Sequence, residues 1–512
     1  MGKISPYTDQ WNEVDISLRT RPQNRRREDL AKHVPLFTWW RYWLDSIPDR
    51  FPNELWLKAL GYAPNDALTN IALTGHRFCD LSRPHIFAEF EFHPYAIGSA
   101  GVLLPTPRLV KKAAERLEFW LSDAIAPFVR VCNVTPFASK ASKISTSDQP
   151  YILLDAFFQG IRAFTGLRAL TTNEVHFTQT GLSNLGLLPN LHTLRIEEYK
   201  VGLGHAIDFD SLKFGNLRCL QIPAKPSLRN SLDHSRWIPL LSADKVCELE
   251  LALNPPNGLG IDQIPSFPCT EKLSIYLPLS MAPQNLRILS KFPSLRDLSM
   301  RDTVRGDEAM HWDGSGLQQL VHSELPSLLN KYTGLFQTLP LVLPLSNLTD
   351  LTIEVCSPLD FLQTLRGMQL CTIFSAVTRV KIRVVDAEGA SENWDVDGFD
   401  PTDFDWKVPA ILETFVSSLP ASIKQLAVHW DMDFEFIDEL PPFREFADAI
   451  MKKHRGLNAL WLGIYGFTLR SLKSKGKIAA KEDLVGEHDP HDVVKRIAND
   501  FKSSWEILGG QF

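Results

Sequence analysis

The sequence predicts an α/β chain in which a short all-helical segment precedes an irregular solenoid, a curved parallel sheet with helices and loops on its convex side. Three observations carry this expectation. A strand-sized apolar pattern returns at a nearly constant interval; prolines punctuate the intervals; and a stretch ahead of the repeats carries apolar residues at helical spacing.

Composition narrows the classes. The chain has 512 residues, 44% of them hydrophobic, ample for a large core. A net charge of −6 supplies no overall field for nucleic acid or an anionic membrane, and neither is expected as a partner. No apolar run follows Met1, and the most apolar stretch, 335–348, is broken by proline, so no membrane span or secretion signal is expected. Met1-Gly2 resembles a myristoylation start, but Pro6 occupies the place of the required Ser or Thr. The 7 cysteines are an odd count without a C-x-x-C pair, which argues for a reducing compartment, cytoplasmic and/or nuclear, and against a disulfide framework or zinc site.

Taken in chain order, residues 1–43 read as a partly disordered polar arm with a basic cluster at Arg19, Arg21, Arg25, Arg26 and Arg27. An aromatic run follows at its end, where Phe37, Trp40 and Leu44 share a helical face. Residues 44–93 read as a helical domain. Pro52 stands at a helix start, where a missing N–H costs nothing, and Asn53 and Glu54 fill the first turn. Leu55, Ala59, Leu60 and Ala63 then recur at helical spacing. After the break at Pro64, Asn65 or Asp66 can cap a second helix bearing Leu68, Ile71 and Ala72. So few residues cannot bury a core alone, so these faces need the rest of the chain or another protein.

Residues 94–470 carry the repeats. The pattern apolar-x-x-apolar-x-apolar appears as LHTLRI (191–196), LRCLQI (217–222), VCELEL (246–251), LRDLSM (295–300), LTDLTI (348–353), VTRVKI (377–382), IKQLAV (423–428) and LNALWL (457–462). TEKLSI (270–275) lacks the first apolar residue, and VRVCNV (129–134) and LRALTT (167–172) are weaker copies. The marker residues Leu170, Leu194, Leu220, Leu249, Leu273 and Leu298 lie 24, 26, 29, 24 and 25 residues apart. Leu351 follows 53 residues later, which implies two repeats with one strand unrecognised. This spacing is that of leucine-rich repeats, which stack because no single repeat buries its own apolar side; an ordinary α/β domain with buried parallel strands is the other reading.

Alternation turns the residues between the apolar positions toward the concave surface. They are polar and mixed in sign, with no convergent catalytic pair. Arg195, Gln221, Glu250, Lys381 and Trp461 are the candidate contacts for a partner protein. Trp461, near His429 and Trp430, could anchor a partner or lie buried under the C-terminal tail.

An acidic insertion near 387–407 approximates a calcium loop through Asn393, Asp395, Asp397 and Gly398. Phe404 stands where the bidentate Glu is needed, and Asp400 and Pro401 disturb the rest. Residues 471–512 read as a linker and capping helix, started by Asp489 and Pro490 and striped by Val493, Ile497, Phe501 and Trp505. No phosphate loop, nucleophile elbow or zinc motif occurs, so no enzyme activity, cofactor or metal is expected.

Against the repeats, FPNELWLKALGYAPNDALTNIALTGHRF (51–78) resembles the F-box motif. Phe51-Pro52-Asn53-Glu54-Leu55 matches its start, Leu60 the second half of an apolar pair, Leu68 and Ile71 its second helix, and Phe78 its closing aromatic. Ala59, Ala63 and Thr74 depart from the family's Ile, Leu and Val. The continuation 81–92 looks like the join in fungal F-box proteins with degenerate leucine-rich repeats. The resemblance implies a substrate-recognition subunit of an SCF-type E3 ubiquitin ligase. Phe51, Pro52, Leu55, Leu60, Leu68 and Phe78 would then contact the adaptor that links to the cullin complex, or support that contact, while the repeat face holds an unknown protein substrate. The alternative is a non-ligase interaction scaffold whose helices only cap the solenoid.

Overall fold

The computed structural model describes residues 52–98, 101–103, 107–138, 151–197, 200–201, 207–223, 235–252, 264–277, 283–302, 327–335, 347–355, 376–385, 421–431, 443–464, 467–474 and 477–484. The N-terminal arm, Phe51, the acidic insertion and the striped tail helix lie outside them. The chain divides into two compact units: Met1–Gln221 with Leu240–Ser242, and Ile222–Pro239 with Ala243–Phe512. The span 94–470 expected to carry the repeats has residues in both units. A stack whose strands touch only their neighbours divides readily at a long step, and the division falls within the 29-residue interval between Leu220 and Leu249.

The first unit opens with three helices, α1 (Asn53–Leu60), α2 (Asn65–Ala72) and α3 (His76–Ile86). The ladder strands follow, separated by helices: β1 (Glu89–Phe92), α4 (Pro107–Leu121), β2 (Val131–Val134), α5 (Ile152–Gly160), β3 (Ala169–Asn173), α6 (Gln179–Gly186), β4 (Thr193–Glu197) and β5 (Cys219–Gln221). All five strands pair in parallel and in chain order. The ladder therefore begins inside the span expected to be the helical domain. Its first strand alternates by simple physical rule, with Phe90 and Phe92 buried and Glu89 and Glu91 exposed.

In the second unit β6 (Glu248–Ala252), β7 (Lys272–Leu277), β8 (Asp297–Asp302), β9 (Lys331–Leu335), β10 (Asp350–Val355), β11 (Arg379–Val385) and β12 (Gln425–Asp431) continue in parallel. Helix α7 (Phe443–Lys453) then leads to β13 (Ala459–Ile464), also parallel. Two antiparallel strands close the order, β14 (Phe467–Ser474) and β15 (Lys477–Leu484). Residues 471–474 and 477–484, within the span read from the sequence as linker, are thus strand, paired residue by residue with their neighbours in the order. Their mixed charged and apolar order has no leucine-repeat signature, and backbone pairing to β13 and its neighbour decides their conformation.

Register confirms the marker residues as one apolar row in each unit. Cys132, Leu170, Leu194 and Leu220 stand opposite one another, as do Leu249, Leu273, Leu298, Tyr332, Leu351, Val380, Leu426 and Leu460; all are buried. The unrecognised repeat between Leu298 and Leu351 is β9. Tyr332 takes the leucine place and Gly334 the next apolar place; a Cβ on Gly334 would meet the Tyr332 hydroxyl at 2.2 Å, so the ring occupies the room the glycine leaves. At β7 the missing apolar residue is Thr270, fully buried, whose hydroxyl donates to the Val246 carbonyl at 2.8 Å. Burial is tolerated because the polar group is satisfied.

The entrances of β2 to β5 and of β7 to β13 are closed in the same way. One carbonyl accepts two consecutive amides of the next strand, as Arg168 does from His192 and Thr193 at 2.9 and 3.0 Å, and Thr349 from Thr378 and Arg379 at 3.0 and 3.1 Å. Asparagines precede three strand motifs and bond the preceding turn: Asn190 to the Thr165 carbonyl, Asn216 to Pro189 and Asn347 to Ser327, at 2.8–3.0 Å. These asparagines stand just before the strand motif, in the sequences Pro-Asn-Leu, Gly-Asn-Leu and Ser-Asn-Leu.

Candidate functional site

The three-helix unit is held by a small core of its own. Leu60, Leu68 and Leu81 are buried together, with Trp56, Leu57, Ala63, Ile71 and Ile86 packed against them. Phe78 is buried as well and meets Trp56 edge-on, ring centroids 5.2 Å apart. Asn53 accepts two bonds from the Arg77 guanidinium, at 2.8 and 3.2 Å, and so ties the first turn of α1 to α3. Pro52 sits one place earlier than expected, just outside α1, where its carbonyl accepts from Leu55 and Trp56. Pro64 likewise stands at the cap of α2 in place of a side-chain cap from Asn65 or Asp66.

The six residues expected at the adaptor surface are therefore divided. Pro52 and Leu55 are exposed, Leu55 by 52%; Leu60, Leu68 and Phe78 are interior; Phe51 lies outside the described residues. The exposed apolar set includes two residues the sequence reading passed over, Tyr62 and Leu73, each 82% exposed. Their signal was present: Tyr62 occupies the turn after α1 and Leu73 the turn after α2, off the helices' buried stripes.

The candidate residues between apolar positions do not form one site. Arg195 is exposed and donates to Glu197 at 2.7 Å and to Gln221 at 3.3 Å, so these two candidates do meet. Glu250 accepts from the Tyr276 hydroxyl at 2.9 Å, and Arg301 donates to that same oxygen at 3.1 Å. Lys381 is buried to 7% exposure. Trp461 is fully buried beside His429, ring centroids 6.2 Å apart, and lies over Gly463. As a free anchor for a partner Trp461 is corrected; burial, the other reading of it, is what its position on β13 produces. The polar side of the sheet is open or partly open at Lys272, Ser274, Asp297, Lys331, Thr333 and Thr352, buried at Ser299 and Asp350, and shut at Lys381, Ala427, His429 and Trp461.

Across that open region charge alternates strand by strand. Glu248 stands opposite Lys272, then come Asp297, Lys331, Asp350 and Arg379 in one register row. Lys272 bonds Glu248 at 2.7 Å, Lys331 bonds Asp297 at 2.9 Å, and Arg379 bonds Asp350 at 2.6 Å. Opposite charges at directly facing positions favour this register over a slipped one; the two exposed pairs, Lys272–Glu248 and Lys331–Asp297, add little stability, while Asp350 is buried beneath Arg379.

Burial shifts several acids upward. It holds the Cys132 thiol and Tyr95 phenol protonated well above their usual ranges and pushes Tyr276 up to about 12, with Arg301 opposing and Glu250 reinforcing. From ordinary values of 9.0 and 10.0, the unfolded chain releases these protons while the folded chain keeps them. Stability is therefore complete below about pH 9 and falls as pH rises toward 12. Urea midpoints measured at stepwise increasing alkaline pH should decline, and less steeply in Tyr276→Phe; a flat profile would contradict the assignment.

Among the described residues no group of three or more His, Cys, Asp or Glu could hold a metal ion, and no helix is long and apolar enough to cross a membrane. No protein-family model and no curated protein matches the chain.

Proposed function

We propose that the chain is a substrate-recognition subunit of an SCF-type E3 ubiquitin ligase, whose three helices dock on the adaptor of a cullin complex and whose strand ladder holds a protein to be modified. One observation carries the reading: a three-helix unit ahead of a parallel ladder exposes Leu55, Tyr62 and Leu73 while keeping its own core closed. Large apolar groups left in water on a small folded unit mark an interaction surface. The chain's part in catalysis is proximity, bringing a target lysine to a conjugating enzyme.

Purified adaptor is expected to co-precipitate with the wild type, and Leu55→Asp/Leu73→Asp is expected to weaken that binding at least about tenfold without loss of helicity, since both side chains already face solvent. Absence of adaptor from the wild-type complex overturns the proposal. It would favour the second reading, a repeat scaffold with an N-terminal helical cap, to which the closed Leu60–Leu68–Leu81 cluster is equally suited.

A further inference from the structure

The residue just before each ladder strand forms a row along the strand entrances. In the second unit it is mixed and largely neutral: Glu271 and Arg296 are adjacent and of opposite sign, 3.9 Å apart, and Asn330, Thr349, Thr378, Lys424 and Asn458 follow. In the first unit the same row reads Arg130, Arg168, His192 and Arg218 on four consecutive strands. The doubled carbonyl bonds lock its backbone: Arg168 and Ala169 donate to Arg130, His192 and Thr193 to Arg168, and Arg218 and Cys219 to His192. Adjacent strands lie about 4.8 Å apart, so the row spans about 14 Å.

Arg130 donates to the Gly166 carbonyl at 3.2 Å. Arg168 and Arg218 are exposed and His192 half-exposed, and none of these three has a carboxylate partner among the described residues. Like charges on facing positions are destabilising. The row Glu248–Lys272–Asp297–Lys331–Asp350–Arg379 relieves this by alternating sign, and the entrance row of the first unit does not. We infer that this row is a binding site for an acidic peptide segment, consecutive Asp or Glu side chains of a partner protein, which would supply the missing countercharge. A peptide suits it better than a nucleic acid because no aromatic residue interrupts the row to stack a base and the chain as a whole is acidic. The row shares no residue with the three-helix surface of Leu55, Tyr62 and Leu73, and it does not rest on the ligase reading.

The test uses the full chain and a fluorescein-labelled octaglutamate probe, read by anisotropy. Binding is expected to saturate at about 0.05 M salt and to weaken at about 0.3 M, where exposed charges are screened. Arg168→Glu/Arg218→Glu should weaken it at least about tenfold. Arg168→Lys/Arg218→Lys should retain it, and Lys424→Glu, the same row position in the second unit, should leave it unchanged. No saturable binding by the wild type, undiminished binding by the double Glu variant, or an equal loss in Lys424→Glu would overturn the site. Octathymidylate binding as tightly as octaglutamate would overturn the assignment to a peptide.

Discussion

Leu68→Asp is expected to unfold the three-helix unit, with a loss of about 3–5 kcal/mol, because it places a charge without a partner among Leu60, Leu81 and Ile71. Leu73→Asp, on the turn directly after the same helix, is expected to change stability by less than about 0.5 kcal/mol, because Leu73 is 82% exposed. Helical signal and protease resistance in urea read both. The pair matters for function. A substitution at Leu60, Leu68 or Phe78 would abolish adaptor binding merely by collapsing the unit, whereas Leu55 and Leu73 separate a lost contact from a lost fold.

The second large effect lies in the ladder. Leu194→Ala should cost about 3 kcal/mol, since Leu194 is fully buried between Leu170 and Leu220 and its neighbours are held by backbone pairing on both sides, so the cavity cannot collapse. Thr193→Ala, one residue away on the opposite side, should cost less than about 0.5 kcal/mol. Equal losses at the two positions, in chemical denaturation of the full chain, would contradict the alternation on which the register rests.

Most of the ladder was legible because its apolar row repeats. Within each unit, the strands from Leu170 to Leu220, from Leu249 to Leu298 and from Leu351 to Leu460 stand in register at the positions their spacing implied. What escaped did so for local reasons. β9 was hidden because Tyr332 and Gly334 share between them the volume two leucines would fill. β1 was hidden because Phe90 and Phe92 carry alternation without a leucine, and β14 and β15 because pairing with β13 rather than periodicity forms them. On the helices, spacing identified which residues were apolar but not which would find partners inside the unit: Leu60 and Leu68 did, and Leu55 did not.

The sequence by itself determined the strand interval, the parallel order it requires, and the helical character of 53–86, since each follows from the period of apolar residues and the chain's need to bury them. Only the tertiary structure decided that Trp461 is enclosed, that Tyr62 and Leu73 remain in water, that charges alternate along one row and accumulate along another, and that the ladder divides into two units. These depend on which strand lies beside which and at what register, and residues far apart in the chain acquire that relation only when the backbone bonds between neighbouring strands have formed.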